Sequence, residues 1–346
     1  MLEDTLDEMA AFIGTYVDIP TEYRDVVALW CMYTHCFPKQ EFSTVPYVLI
    51  TSAEKASGKS TLLDTAAKLV RSPLMSASMS PAMIGRSVDG HTLMLDELDT
   101  VYSRKSDESG KEMAAVLNGG FHRNGSYDRL VLDRKGNYQP QSFKTFGPKM
   151  LVGIAAEYPE ALVSRCVHIQ IERMDNGSKV QRARERIMTE QSLPILQCAI
   201  LDAAAIGVLP FVDDMPDASG RTLDVWEPLF SLANAASQKW TLRALTAFSA
   251  LQNVTVEPTT PQRLLRDCRT VFDAAGVDYL RTLVLIKSLE DLGEGWETYA
   301  FGKPISPQAL GRQLAKYGIH PERAPDLSRR AIYTRASFEG AWKRYA

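Results

Sequence analysis

The chain has 346 residues, and 45% of its side chains are apolar. This length and apolar content exclude a disordered tail and predict two or three compact units. The 39 basic and 42 acidic residues give a net charge of -3, which excludes a uniformly basic, histone-like protein and a strongly acidic chain.

Charge is distributed unevenly along the chain. Residues 1–50 carry eight acidic and two basic side chains, whereas residues 303–346 carry nine basic and three acidic ones. Five cysteines form no CxxC pair, which favours reduced thiols. The acidic N-terminus MLEDTLDEMA and the short apolar runs predict neither a signal peptide nor a membrane span, so we expect a cytoplasmic protein.

The first elements in chain order are helical. Apolar residues at helical spacing predict two helices, 2–17 and 22–36. From about 46 to 175, short apolar runs alternate with turns and helical segments, which is typical of an α/β layer with a mainly parallel sheet. The runs expected to form strands lie in YVLIT, HTLMLDELD, PKMLVGIAA and CVHIQI.

Helical patterns return over residues 179–207 and 222–251, and Pro194 and Pro228 predict breaks in them. The segment QNVTVEPTTPQ is typical of a linker. We therefore predict four parts: an N-terminal helical segment (1–43), an α/β core (44–175), a helical region (176–255) and a small basic domain (256–346).

The segment PYVLITSAEKASGKSTLLDTAAKLV has the layout of a phosphate-binding loop, with a strand, a tight turn and a helix that begins at Gly-Lys-Ser-Thr. It departs from the Walker A pattern at Ala53, where the first glycine is expected. Backbone N–H groups would surround phosphates, Lys59 would add a charge, and Ser60 would bind Mg2+. The predicted nucleotide-binding residues are Ala53, Ala56, Ser57, Gly58, Lys59, Ser60 and Thr61. The alternative is a plain strand-to-helix turn.

Two carboxylates follow the apolar run HTLML, as in a Walker B strand. Asp96 is the second predicted magnesium ligand, and Glu97 is predicted to orient or deprotonate an attacking water. Two acids after an apolar strand are also common at the solvated start of a loop. The phosphate loop on a neighbouring strand favours ATP hydrolysis with Mg2+.

Two β-type segments, 127–133 and 138–146, predict a hairpin with Arg134 and Lys135 at its tip. A basic tip suits contact with the phosphates of DNA, and the alternative is a solvated turn. Farther along, Arg165 closes a short helix before an apolar strand. We predict that it acts on the γ-phosphate held by a neighbouring subunit, with Arg123 as the rival. Arg165 could also pair with an acid of its own domain.

The C-terminal region combines helices near 261–275, 281–291 and 307–317 with a basic loop, the short strand AIYT and a terminal helix, an order compatible with a winged helix. Basic side chains would then lie on a recognition helix and along the wing. The alternative is a solvated basic helix pair that only packs on the core. Together with the hairpin tip, the predicted DNA contacts are Arg134, Lys135, Arg312, Lys316, Arg329 and Arg330.

Along the chain, the phosphate loop is followed by an apolar strand that ends in two carboxylates, a basic hairpin, another strand and the segment PEALVSR. This order is similar to that of superfamily 3 helicases and of phage and poxvirus primase-helicases. SAEKASGKSTLLD, LMLDELDT, LNGGFHRNG and GKPISPQALGRQLAKYGI resemble a family of actinobacterial and phage-borne P-loop ATPases of unknown function, some described as phage helicases. The resemblance implies an AAA+ core, ATP and Mg2+ as ligands, a homo-oligomeric, hexameric ring, and DNA replication of a phage or mobile element in a bacterial or phage-infected cell.

Three functional hypotheses follow. The leading one is an ATP-hydrolysing, DNA-dependent motor of helicase type that acts on single-stranded or forked DNA and has no membrane partner. The second is a non-helicase AAA+ ATPase (a helicase loader, replication initiator or defence switch) whose nucleotide state controls assembly on DNA. The third is a DNA-binding module with a vestigial nucleotide site, against which the intact Lys59, Ser60, Asp96 and Glu97 speak.

Overall fold

The structure is a computed structural model that describes residues 1–54, 56–76, 79–99, 108–132, 136–154, 158–173, 179–213, 215–218, 220–252, 260–293, 295–299, 302–324 and 331–345. The chain forms two compact units, residues 1–254 and 255–346. Each unit has its own hydrophobic core. None of the helices within the described ranges is long and apolar enough to cross a membrane.

Unit 1 begins with two helices that pack against each other, α1 (Leu2–Tyr16) and α2 (Thr21–Cys36). Every residue of α2 from Val26 to Tyr33 is buried. A helix that is apolar on all sides has to lie inside the protein. Accordingly, α2 contacts α1 and also the three helices over residues 185–252 at the C-terminal end of unit 1. The first three predicted segments therefore contribute to a single core.

The centre of unit 1 is a five-stranded parallel sheet, in agreement with the α/β prediction. The strands are β1 (Tyr47–Ser52), β2 (Pro73–Ser76), β3 (Thr92–Leu95), β6 (Lys149–Ile154) and β7 (Cys166–Gln170), in the order β2-β3-β6-β1-β7. All six residues of β1 are buried, because β1 lies between β6 and β7 and both faces of the sheet are covered. The edge strand β2, which is partly exposed, was not predicted.

Short helices and a hairpin connect these strands. The helices are α3 (Lys59–Ala67), α4 (Pro81–Ser87), α5 (Glu108–Gly119) and α6 (Glu160–Val163), and the hairpin strands are β4 (Ser126–Leu132) and β5 (Tyr138–Lys144). The two hairpin strands pair antiparallel, with Leu132 opposite Tyr138. The predicted hairpin is therefore present.

Three helices complete unit 1: α7 (Glu185–Ile206), α8 (Gly220–Ala236) and α9 (Gln238–Gln252). The predicted breaks at Pro194 and Pro228 are wrong, because both prolines lie inside continuous helices. An interior proline removes a hydrogen bond and costs about 3 kcal/mol. Burial of neighbouring side chains such as Trp226 and Phe230 offsets that cost in α8.

The acidic N-terminus has structural partners in α9. Arg243 donates two hydrogen bonds to the buried carboxylate of Asp25 and also pairs with Asp7. Lys239 pairs with Glu3 and with Asp7, at 2.6 Å to the latter. Several of the acids that make residues 1–50 negative therefore form ion pairs with α9, the last helix of unit 1.

Unit 2 combines helices with a small sheet. The helices are α10 (Thr260–Ala275), α11 (Thr282–Asp291), α12 (Pro307–Leu314) and α13 (Arg335–Tyr345), and the strands β8 (Tyr279–Arg281), β9 (Glu322–Arg323) and β10 (Ala331–Thr334) pair antiparallel in the order β8-β10-β9. Trp296 and Trp342 are buried in its core, as their apolar spacing predicted. The helical stretches predicted for this region are present, and the winged-helix assignment stays a prediction.

Candidate functional site

The loop after β1 joins a buried strand directly to a helix. β1 ends at Ser52 and α3 begins at Lys59. Gly58, just before the helix, has φ +92°, a left-handed conformation that glycine adopts without steric cost. The N–H groups of a first helical turn have no acceptor within the helix and attract anions. The segment predicted to bind phosphate therefore has a suitable local geometry.

Ala53 replaces the first glycine of the sequence pattern without backbone strain. The positive φ angles of the described part of this loop lie at Ala56, with +59°, and at Gly58, and none lies at Ala53. The alanine thus needs no conformation that only glycine adopts easily. The strained residue is Ala56, at a cost of about 1 kcal/mol.

Lys59 is the central cation of this loop and is only 9% exposed. Its Nζ donates to Ser52 Oγ, to the carbonyl of Glu54 at 3.0 Å and to Ser57 Oγ at 3.3 Å. All three acceptors are neutral oxygens. Burial lowers the pKa of Lys59, and the charge of Asp96 partly opposes that change. Among the residues that the structure describes, none forms an ion pair with this ammonium, which is held inside the loop.

Asp96 is brought to this loop by the strand order. It directly follows β3, which reaches β1 through β6, and parallel strands carry their C-terminal ends to one edge of the sheet. Ser60 Oγ donates to Asp96 Oδ2 at 2.9 Å. The two predicted magnesium ligands are therefore adjacent, although 36 positions apart in sequence.

The fit of these residues to Mg2+ can be judged from their donor atoms. A hydroxyl and a carboxylate are hard oxygen ligands, and Mg2+ is commonly held by one or two carboxylates together with water and substrate phosphates. Among the described residues, no group of three His, Cys, Asp or Glu side chains forms a metal site. Ser60 and Asp96 thus fit a metal bound together with a phosphate ligand better than a permanently bound one.

Glu97 has an unusual backbone next to Asp96. Its φ is +54°, and its N–H donates to Asp96 Oδ1 at 2.8 Å. Two residues on, Asp99 Oδ1 accepts from the N–H of Ile154 at 3.1 Å and ties this segment to the end of β6. Strained residues of this kind concentrate at functional sites. The exposed carboxylate of Glu97 therefore lies on a fixed turn beside the Ser60–Asp96 pair.

The two candidate arginines have different environments. Arg123 is bound within unit 1, where Nε donates to the carbonyl of Phe42 at 3.0 Å and Nη2 donates to that of Gln40. Arg165 donates to the carbonyl of Ala161, and its Nε is buried without an acceptor. No acid among the described residues forms an ion pair with Arg165, so the predicted alternative of pairing within its own domain is not found there.

Arg165 belongs to a patch that also includes Arg221 and His122, in which the two arginines carry the positive charge. Arg221 Nη1 donates to Ser164 Oγ at 3.4 Å. Burial and then the charge of Arg221 lower the pKa of Arg165, and burial and the charges of both arginines lower the pKa of His122. Sequence reasoning did not identify Arg221 or His122, because no motif links them to Arg165 and only the packing of α8 brings them together.

The predicted DNA contacts are only partly described. Arg134, Lys135, Arg329 and Arg330 lie outside the described residues. Arg312 and Lys316 are exposed in unit 2, one on α12 and the other in the following turn. The hairpin also has an exposed apolar side near its tip, which the sequence analysis did not predict: Leu130 is 61% exposed and Tyr138 is 67% exposed.

Comparison with known proteins gives one family match and weak structural similarities. The family described as "Protein of unknown function (DUF3631)" matches residues 171–345, slightly more than half of the chain. An "Uncharacterized 28.9 kDa protein in xis 5'region" of Saccharopolyspora erythraea is 35% identical over 139 residues, which are 38% of this chain and 51% of that protein. The chain thus spans about half the length of this curated relative.

Among solved structures, the apo form of the NrS-1 C-terminal region has a TM-score of 0.43 at 12% identity, over 96% of this chain and 74% of that one. The X-ray structure of JCV helicase has a TM-score of 0.29 at 13% identity, over 76% of this chain and 63% of the helicase chain. TM-scores and identities this low carry no conclusion about fold or activity.

Proposed function

The chain belongs to the DUF3631 family of proteins of unknown function, and we propose that it binds ATP with Mg2+ at the loop after β1 and hydrolyses it. The observation that carries the proposal is the contact between Ser60 and Asp96, 2.9 Å apart, directly beside the Lys59 loop. A phosphate-binding loop and a metal-binding carboxylate have to meet for phosphoryl transfer, and a plain strand-to-helix turn gives no reason for this contact.

Each residue has a role that follows from its position. The backbone N–H groups from Ala56 to Thr61 bind phosphate oxygens, and Lys59 exchanges its neutral acceptors for the phosphate charge. Ser60 and Asp96 would hold Mg2+, which would supply positive charge against the charge that develops on the phosphates. Glu97 orients the attacking water and accepts its proton.

We further propose that the patch of Arg165, Arg221 and His122 meets the nucleotide of a second copy in a homo-oligomeric ring, for which the resemblance implies six subunits. Neither Arg165 nor Arg221 has an ion pair with another described residue, and such an arginine pair stabilises negative charge that a neighbour brings. Arg165 is favoured over Arg123 because the guanidinium of Arg123 is bonded to carbonyl groups of its own unit. The ring is tested by mass in solution with and without nucleotide, in wild type and in Arg165→Ala.

A DNA-dependent motor of helicase type is the finer form of the proposal. It is supported by the motif order, by the hairpin between β3, which Asp96 follows, and β6, and by the exposed Arg312 and Lys316 of unit 2. Phosphate contacts of this kind need positive charge and no particular base sequence. DNA would be single-stranded or forked.

The decisive experiment measures Mg2+-dependent phosphate release by the full chain, with and without single-stranded DNA. Lys59→Ala is expected to lose turnover. Lys68→Ala is the matched control, because Lys68 lies at the other end of α3 and pairs with Glu185. Phosphate release that persists in Lys59→Ala would overturn the ATPase proposal. So would a wild-type chain that releases no phosphate either with or without single-stranded DNA. Loss of DNA stimulation in Arg312→Ala/Lys316→Ala, with basal turnover kept, is expected for the motor.

A further inference from the structure

A second cleft opens at the opposite edge of the parallel sheet. It has a volume of about 400 Å³, and Thr92, the first residue of β3, and Pro148, just before β6, line it. The strands are parallel, so their N-terminal ends lie on the edge away from the Lys59 loop. The volume lies within the range of small-molecule sites, roughly 300–1,000 Å³.

Three cations line this cleft: Arg71, Arg123 and Lys144. Within the described ranges, the side-chain hydrogen bonds of the two arginines go to neutral backbone oxygens, as in the bond from Arg71 Nη1 to the carbonyl of Gly90 at 2.9 Å. Among the described residues, none of the three cations forms an ion pair, and Asp89 is the one acid that lines the cleft. The cleft therefore keeps an excess of positive charge that an anion would balance.

The rest of the lining includes apolar rings. Phe37 and Phe146 contact each other with ring centroids 5.1 Å apart, and Pro38 and Pro148 extend this wall. Arg123 lies over the Phe146 ring, 5.2 Å from its centroid, which fixes a positive group beside an aromatic one. A site that is lined partly by cations and partly by aromatic rings suits a ligand that has a flat ring at one end and a phosphate at the other.

We propose that this cleft binds a nucleoside monophosphate, with the phosphate at Arg71 and Lys144 and the base against Phe37 and Phe146. The site is separate from the Lys59 loop and does not depend on the proposed ATPase activity. A monophosphate also separates the two sites experimentally, because the lysine of a phosphate loop reaches the β- and γ-phosphates and AMP lacks both.

The test is calorimetric titration of the full chain with AMP. Wild type is expected to bind one AMP per chain. Arg71→Ala and Lys144→Gln are each expected to weaken binding by about tenfold, because each removes one charge-assisted contact. Lys144 is exposed on the hairpin, so its substitution does not threaten folding. Lys59→Ala, and the charge control Lys287→Ala in unit 2, are expected to bind AMP as wild type does.

Adenosine, inorganic phosphate and a thymidine oligonucleotide complete the experiment. Adenosine or phosphate alone should bind much more weakly than AMP, since each engages half of the cleft. Equal affinity for either fragment overturns the assignment. So does loss of AMP binding in Lys59→Ala with no effect of Arg71→Ala and Lys144→Gln, which would assign AMP to the loop after β1. Competition by the oligonucleotide would identify a DNA strand, and not a free nucleotide, as the occupant.

Discussion

Lys149 is a fully buried lysine at the start of β6, and its titration gives the most quantitative prediction of this structure. Its Nζ donates to the carbonyls of Thr145 at 2.8 Å and Gly147 at 2.9 Å and lies 4.6 Å from the centroid of the Tyr47 ring. Burial lowers the pKa of Lys149 from its ordinary value of 10.5 to about 7. The ammonium form is therefore less stable in the folded chain than in the unfolded one.

The consequence is a pH dependence with a defined sign. Between the two pKa values the unfolded chain holds a proton on Lys149 that the folded chain does not, so the free energy of unfolding rises as pH rises. A difference of one bound proton changes the free energy of unfolding by about 1.4 kcal/mol for each pH unit. Because Lys149 is half protonated in the folded chain near pH 7, its effect there is smaller, and it raises the free energy of unfolding by about 2 kcal/mol between about pH 7 and about pH 9.

Lys149→Met removes the titrating group and keeps a long side chain. Urea unfolding of the full chain near pH 7 and near pH 9, followed by 19F NMR of fluorinated tryptophans that separate the units, gives the free energy for unit 1. Between about pH 7 and about pH 9, the free energy of unfolding should rise by about 2 kcal/mol less in Lys149→Met than in wild type. Lys111→Met, at an exposed position of α5, is the control and should keep the wild-type slope.

Other groups do not obscure this comparison. Burial raises the pKa of the Cys31, Cys36 and Cys166 thiols of unit 1, so these groups lower the stability of that unit as pH rises from the ordinary thiol pKa toward their folded pKa values. They are present in wild type and in Lys149→Met alike, and their effect cancels in the difference between the two slopes. Equal pH slopes in wild type and Lys149→Met would refute the reasoning.

Three further predictions concern the ion pairs and the site. Arg243→Met leaves the buried Asp25 without its partner and should cost about 3 kcal/mol of unit 1 stability, measured by urea unfolding, with no loss expected if the pair were solvated. Asp96→Asn should lower Mg2+-dependent phosphate release by about tenfold or more while metal-free ADP binding persists, and unchanged turnover would contradict its role as a ligand. Trp296→Phe removes the bond to buried Asp267 and should cost unit 2 about 1–3 kcal/mol, visible as a lower thermal midpoint of that unit alone.

Local sequence patterns were sufficient for much of the candidate site. The Gly-Lys-Ser-Thr turn after YVLIT and the Asp-Glu pair after an apolar run identify Lys59, Ser60, Asp96 and Glu97 without any tertiary information. Each motif is local because a strand, a tight turn and a helix start are determined by neighbouring residues. The parallel sheet was predicted for the same reason, since its central strands are buried on both faces and form continuous apolar runs.

The errors arose where packing overrides local preference. Pro194 and Pro228 predict helix ends, yet both helices continue. At Pro228, the proline costs less than exposing the buried side chains around it, such as Trp226 and Phe230. Strand β2 escaped prediction because it is four residues long, partly exposed and begins with Pro73.

The sequence alone predicted which residues would carry phosphate and metal chemistry, because those roles need particular residue types at short spacing. Only the tertiary structure decided which distant residues meet. The strand order brings Asp96 to Ser60, and helix packing brings Arg221 to Arg165 and Arg243 to Asp25. The cleft between Arg71 and Lys144 likewise exists only once the sheet edge and the hairpin are in place. Contacts of this kind depend on how elements are arranged in space, and spacing along the chain carries no information about them.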